Sequence, residues 1–326
     1  MLLSLARAVA IAIPLLLAAP FAAPAEDPLR FIMVTHGSAA DRFWAAVKEG
    51  ADRAAEEAGV AVTYRAPESF DLEAMAALVL QAVNEHPAGL IVSIPNETVL
   101  AAPIKAAVAA GIPVISINSG FDVGPSLGAL LHVGQSEYEA GRGAGEAMRD
   151  LGGTKALCLN HETGNVALDL RCKGFIDGFG GSVEVLPVEP DPAPVRAAIE
   201  ERLAADEAID VILALNAAVA GEPAVAAAAA LQGRTVRVGS FDTTDAILAA
   251  VAEGRAAFAI DQQPFLQGYL PVQYLAMLHR YGAVPVSNVS TGPKLVRGEE
   301  AARRLGGTLR PGLSEGAGEA REPKGG

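Results

Sequence analysis

The feature that most constrains this chain is a rhythm of short apolar strand, polar or glycine turn and helix, run once and then restarted. Leu29 to Thr35 reads as a buried strand, and Phe43 to Gly59 as a helix stopped by Gly59. Val60 to Tyr64, Gly89 to Ile94 and Pro113 to Ile117 read as further strands, separated by helices over Leu72 to Glu85 and Val99 to Ala110. The second series opens with a helix over Ser136 to Leu151. Strands then fall at Lys155 to Asn160, Ser182 to Val188, Asp210 to Leu215, Val236 to Phe241 and Ala257 to Asp261. Helices over Asp169 to Phe179, Pro194 to Ala205, Pro223 to Leu231 and Thr244 to Glu253 lie between them. Strands alternating with helices in this way build parallel sheets covered on both faces. The fold class predicted is α/β, with two similar doubly wound parallel-sheet lobes. One more helix, Gln267 to Tyr281, follows the completed second series, so the chain is expected to cross back to the first lobe.

The ends of the chain read differently. Arg7, the apolar stretch Val9 to Ala19 and the small residues Ala23-Pro24-Ala25 predict a signal peptide over 1–25, cleaved before Glu26. That stretch is shorter than the ~20 residues a membrane-spanning helix needs. From Pro311 the chain is mostly Gly, Glu, Pro and Arg or Lys, which predicts a disordered tail over 311–326. The net charge of −13 argues against nucleic acid or anionic lipid as a partner. Two cysteines exclude a disulfide-rich scaffold and a four-thiolate zinc site.

In doubly wound sheets, ligands bind beyond the carboxyl ends of the strands. Here those positions are polar. His36-Gly37-Ser38 follows the first strand, with Asp41, Phe43 and Trp44 just after it. Asn118-Ser119 ends the fourth strand. The second half supplies Asn160-His161-Glu162, Asn165, Arg171, Asn216, Asp242-Thr243 and Asp261-Gln262. Any single Asn or Asp is equally well explained as a helix cap or turn residue. Together they offer neutral and acidic hydrogen-bonding groups, two adjacent aromatics and one guanidinium. Carboxylates and amides suit hydroxyls that both donate and accept, and an aromatic ring suits the C–H face of a sugar. The set predicted to hold ligand is His36, Asp41, Phe43, Trp44, Asn118, His161, Asn165, Arg171, Asn216, Asp242 and Gln262. Of the two aromatics, Trp44 is expected in the cleft, with Phe43 available to the core.

With these motifs in place, the chain resembles the periplasmic sugar-binding proteins of the ribose/galactose-binding type, from about Leu29 to Val296. Asp41-Arg42-Phe43-Trp44 is similar to the polar and aromatic opening of that family's first helix. Asn165 through Arg171-Cys172-Lys173-Gly174-Phe175 is similar to its segment ending in Arg-x-x-Gly-Phe. Leu213 to Asn216, Val238 to Asp242 and Ile260 to Pro264 resemble the segments that supply Asn, Asp and Gln. Two departures stand out: Asn118-Ser119 replaces the usual Asp-Arg, and the His36 to Ala40 loop is longer than usual. They point away from a ribose-type contact set and toward a larger ring, a polyol or a non-sugar ligand.

The resemblance implies a substrate-binding component of a carbohydrate importer driven by ATP hydrolysis in another subunit. Its lobes would be residues 28–132 with 264–291 and residues 133–263 with 292–310, joined by crossovers near His132, Gln263 and Thr291. Expected partners are a small neutral hydroxylated ligand, a membrane permease and, in a sensory role, a chemoreceptor. A monomer without cofactor or metal, acting in the periplasm and not as an enzyme, is expected. In that oxidising compartment Cys158 and Cys172 are candidates for a disulfide, the alternative being two buried thiols.

Rival chemistries lack their residues. His161-Glu162 shares the opening of a zinc-protease helix, but Asn165 stands where the second His is needed. Gly141-Arg142-Gly143-Ala144-Gly145 lies inside a helix, where close helix packing explains it better than nucleotide binding. A lactose-repressor-type regulator would need a helix-turn-helix where this chain carries its leader. The alternatives kept are a binding protein of the same fold for a non-sugar ligand, in transport or chemosensing, and a periplasmic enzyme.

Overall fold

A computed structural model describes residues 28–306, so the leader and tail predicted from sequence lie outside the described residues. The first series comprises β1 (Arg30–Val34), α1 (Arg42–Ala58), β2 (Ala61–Arg65), α2 (Leu72–Asn84), β3 (Gly89–Ser93), α3 (Glu97–Ala109), β4 (Val114–Asn118) and β5 (His132–Gly134). The second comprises α4 (Glu137–Asp150), β6 (Lys155–Asn160), α5 (Val166–Phe179), β7 (Ser182–Pro187), α6 (Pro192–Ala205), β8 (Val211–Ala214), α7 (Glu222–Ala230), β9 (Arg237–Phe241), α8 (Asp245–Ala252) and β10 (Phe258–Asp261). Then come α9 (Pro264–Tyr281), β11 (Val289–Ser290), β12 (Lys294–Val296) and α10 (Gly298–Leu305).

These strands form two six-stranded sheets, ordered β11-β5-β4-β3-β1-β2 and β12-β10-β9-β8-β6-β7. All pairings are parallel except that of β12 with β10. Leaving aside β11 and β12, both sheets follow one doubly wound order, so the predicted fold class holds. The alternation of strand side chains feeds two helical layers in each lobe. Phe31 and Met33 point toward Val47, Val272 and Leu275 of α1 and α9, whereas Ile32 and Val34 point toward Met75, Val79 and Ile104 of α2 and α3. In the second lobe, Leu157 and Leu159 pack with α6, α7 and α8, while Cys158 packs with α4 and α5.

Helix α9 returns to the first lobe as expected and crosses α1 where Gly50 and Gly268 meet; a Cβ on either would overlap the opposing backbone. The Gly141 and Gly145 pair does the same on α4, facing Gly174 and Gly178 of α5. That is the helix-packing role expected of this glycine run. The cysteines are paired: Cys158 on β6 and Cys172 on α5 form a disulfide with Cα atoms 5.9 Å apart.

The chain passes between the sheets three times: after Gly134, at residues 262–263 and at residues 291–293. The first passage falls beyond His132, because His132–Gly134 pairs with β4 as a strand. Three residues carry too little pattern to be read as a strand from sequence. Side chains knit the passages together. Gln267 Nε2 donates to the Gln262 carbonyl (3.0 Å) and to Thr291 Oγ1 (3.2 Å), and Thr291 Oγ1 donates to the Gln262 carbonyl (2.8 Å).

Candidate ligand-binding site

Between the carboxyl ends of the two sheets lies a cavity of about 460 Å³, walled by both lobes. Ten of the eleven predicted residues line it: His36, Asp41, Phe43, Trp44, Asn118, His161, Arg171, Asn216, Asp242 and Gln262. Asn165 does not. It is fully buried behind the wall, where its Nδ2 donates to Glu162 (2.7 Å) and its Oδ1 caps the Ala167 N–H (3.0 Å). That cap starts α5 at Val166, three residues earlier than the pattern predicts, and carries Arg171 into the second turn. Residues 161–164 are not helical, which removes the local geometry a zinc-protease motif requires.

Local backbone chemistry sets most of these side chains. Asp41 caps α1, accepting from the N–H groups of Phe43 (2.8 Å) and Trp44 (3.3 Å). Asn216 accepts from the Val219 N–H (2.9 Å) at the start of a π-helical turn, Ala217–Gly221, that precedes α7. Cap and site are compatible roles here, because each side chain retains polar atoms that the cap does not use. Asn118 ends β4 and Asp242 directly follows β9, with φ of 57° and 69°. This left-handed backbone is one that Asn and Asp tolerate better than other side chains.

Both aromatics line the cavity and both pack on the core of the first lobe, but to different degrees. Trp44 is 6% exposed and belongs to the core packed on β1, with its ring edge-on to His36 (centroids 4.8 Å apart). Phe43 is only half-buried and presents the more open ring to the cavity. The helix starts at Arg42, and its phase turns the indole inward over Gly37. Phe70, in the loop before α2, adds a third ring against His36 (5.9 Å), and nothing in its sequence context had marked it.

The charged floor comes from the second lobe. Arg171 is almost wholly buried and pairs with Glu137, Nε to Oε2 at 2.6 Å and Nη2 to Oε1 at 3.0 Å. Its Nη2 also reaches Gln262 Oε1 (2.9 Å), its Nη1 the Leu215 carbonyl (3.2 Å), and the guanidinium lies 4.3 Å over the Phe241 ring. Gln262 Nε2 in turn donates to Asp242 Oδ1 (2.6 Å), leaving Oδ2 for other partners. Glu137 and Gln135 escaped the sequence reading, because the short β5 concealed a strand end at that point.

Burial dominates the electrostatics. Desolvation raises Asp242 to about 7, against the opposing pull of Arg171 and the Gln262 hydrogen bond. Asp41 and Glu162 are raised too, again by burial first, opposed by hydrogen bonds from backbone N–H groups and from Asn165 respectively. His36 and His161 are lowered to about 3 by burial and then by Arg171, so both are neutral imidazoles at neutral pH. His36 Nδ1 lies 2.8 Å from Ser93 Oγ, and its Nε2 lies 3.5 Å from Nδ2 of the buried Asn165 in the second lobe. The result is a hydrogen-bonding cavity with one aromatic wall and one guanidinium that is already paired.

Known proteins share this architecture. The chain matches the family model described as a periplasmic binding protein domain over residues 31–282. It is similar to a carbohydrate transporter of Acidothermus cellulolyticus 11B, solved in complex with myo-inositol. Identity is 33% and the TM-score 0.81, covering 88% of this chain and 100% of that one. It is also similar to a periplasmic sugar-binding protein of an ABC sugar transporter from Legionella pneumophila, with 27% identity and a TM-score of 0.75 over 81% of this chain and 99% of that one. A curated relative, the xylose/arabinose-binding protein XylF of Sulfolobus acidocaldarius, is 25% identical over 252 residues and 70% of this chain. The aligned region spans 61% of that relative's length. Two lobes of one strand order, three crossovers and a polar cleft between them agree with the family match, and the chain belongs to the periplasmic binding protein family, type I fold.

Proposed function

We propose that this protein captures a neutral sugar or polyol in the cleft and presents it, in the closed form, to the permease of an ABC-type importer. The observation that carries the reading is the composition of the 460 Å³ cavity. Hydrogen-bonding capacity remains on its lining at Asn216 Nδ2, His161 Nδ1, Asp242 Oδ2 and one Arg171 N–H, beside the half-buried ring of Phe43. Such a set matches hydroxyls that donate and accept around a ring with an apolar face. The volume falls in the range of small-molecule sites. Relatives support the class: one was solved with myo-inositol, and a curated one is named for xylose and arabinose.

Capture works through differential affinity. A ligand that hydrogen-bonds to both walls stabilises the closed arrangement over the open one, and the lobes pivot on the three crossovers. Gln262 belongs to a crossover and touches both Asp242 and Arg171, so it couples ligand contact to hinge position. Export through the 1–25 leader would place this activity in the periplasm, and the role is transport rather than catalysis. Among the described residues, the hydroxyl paired with His36, that of Ser93, is fully buried and does not line the cavity, which disfavours it as a nucleophile and with it the enzyme reading.

The test is a panel of myo-inositol, D-xylose, L-arabinose, D-glucose and D-galactose, read by thermal shift and by the fluorescence of Trp44. At least one should raise the melting temperature by mass action and perturb Trp44. A flat response to all of them in both readouts would overturn the proposal.

A further inference from the structure

Among the described residues, Arg171 is the one lysine or arginine lining this cavity, and its donors are nearly exhausted. A guanidinium has five N–H groups in a fixed fork. Two go to Glu137 (2.6 and 3.0 Å), one to Gln262 (2.9 Å) and one to the Leu215 carbonyl (3.2 Å). A single Nη1 hydrogen is left for a ligand. Glu137 lies beneath the wall, 3% exposed, with its Oε2 fixed by Gln135 Nε2 at 2.9 Å. The other charged groups lining the cavity are all carboxylates: Asp41, Glu68, Glu162 and Asp242.

We infer that Glu137 is a specificity-determining residue that reserves this cleft for neutral ligands. It cancels the charge of Arg171 and occupies the two fork positions that a ligand carboxylate would otherwise grip in bidentate fashion. One remaining donor suffices for a hydroxyl. It gives a carboxylate no fork, and the surrounding acids repel the second charge. Asp242 in its ionised form works in the same sense, accepting from a hydroxyl and rejecting an anion. This inference rests on the sugar or polyol reading and narrows it: acids of the same ring size are excluded, and Glu137 is the reason.

The experiment is a calorimetric competition on the whole protein, using a neutral sugar from the panel against D-glucuronate and D-galacturonate. In the wild type, neither acid should displace the neutral ligand at about 100-fold higher concentration, a gap of roughly 2.7 kcal/mol. In Glu137→Gln, the ratio of acid to neutral dissociation constants should fall by about tenfold or more, equivalent to roughly 1.4 kcal/mol. The double variant Glu137→Gln/Arg171→Gln loses a net-neutral unit. Both affinities should drop there, while the ratio stays within about threefold of wild type, roughly 0.65 kcal/mol. A folded Glu137→Gln with an unchanged ratio would overturn the inference, as would a wild type that binds an acid as tightly as its neutral counterpart. If the single variant does not fold, the double variant, which leaves no buried charge unpaired, decides the matter. A ratio lowered by about tenfold there removes Glu137 as the cause. Failure of every neutral ligand to bind the wild type would sink the function proposed above together with this inference. Binding with an insensitive ratio sinks the inference alone.

Discussion

Asn118 and Asp242 stand at matching places in the two lobes, each at the end of the fourth strand of the shared order, each with positive φ. The first is neutral and donates to Gln267 (3.3 Å); the second is a carboxyl group within the reach of Arg171. The contrast extends to the helices that follow the first strand of each lobe. Helix α1 opens with Phe43 and Trp44, while α5 carries Arg171 held by Glu137. One strand order therefore supports an aromatic wall whose charged groups are the carboxyls of Asp41 and Glu68, and a second wall built on the paired Arg171 and Glu137. The difference teaches that topology fixes where a ligand is met and the strand-end side chains fix what is met. A ring with an apolar face and hydroxylated edges satisfies both walls at once.

The largest expected effect comes from breaking the charged wall. Arg171→Ala leaves Glu137 buried without its partner, which should destabilise the protein by about 3–5 kcal/mol in denaturant titrations. It should also remove a charge-assisted ligand contact worth about 1.5–3 kcal/mol. Stability and affinity equal to wild type would show that the pair does not organise this wall.

Next comes the disulfide, which only the second lobe possesses. Its separation of 14 residues closes a loop whose constraint on the unfolded chain is worth about 3 kcal/mol. Reduction should lower the unfolding midpoint, with hydrogen exchange rising in β6 and α5 before the first lobe responds. Exchange that rises equally in both lobes would erase this asymmetry.

The pH response sharpens the contrast at Asp242. Its carboxyl is raised from 3.8 to about 7 in the folded protein. The stability contributed by the protonated form is therefore full below about 3.8 and is lost as pH rises through about 7. Asp242→Asn cannot ionise, so without ligand it should gain on wild type as pH rises from about 3.8 to about 7, at about 1.4 kcal/mol per unit of displacement. The same variant should bind sugar more weakly. A stability difference that stays constant with pH would contradict burial of this carboxylate.

The smallest effect is expected from Phe43 in the aromatic wall. Phe43→Ala should weaken ligand binding by about 0.5–1.5 kcal/mol, with little loss of stability, because the ring is half-buried. Trp44→Ala should instead act mainly on folding, by about 3–5 kcal/mol, as expected for a buried ring. Equal outcomes in the two variants would show that the two rings share one role.

Much of this was legible without coordinates, because long elements announce themselves. The 17 residues of α1, with the Asp41 cap and Gly59 stop, and the six of β6 carry their own period and boundaries. Strand-end polarity then located ten cavity residues, since a doubly wound sheet leaves few other places for a ligand. What escaped was set by tertiary packing. Strands β5, β11 and β12 have three, two and three residues, too few to show alternation. The partnership of Arg171 with Glu137 spans 34 positions and has no local signature. Which of Phe43 and Trp44 faces the core depends on the helical phase set by the Asp41 cap, a matter of one residue.

The central claim is that a neutral hydroxylated ligand binds between these two walls and leaves unchanged. Its most direct test is isothermal titration of the purified protein with each neutral sugar and myo-inositol, followed by chemical identification of the recovered ligand. The expected result is one site per chain with a micromolar or tighter dissociation constant, about −8 kcal/mol or better, and ligand returned intact. Absence of binding heat and of thermal stabilisation across the series, or recovery of a chemically altered ligand, would contradict it.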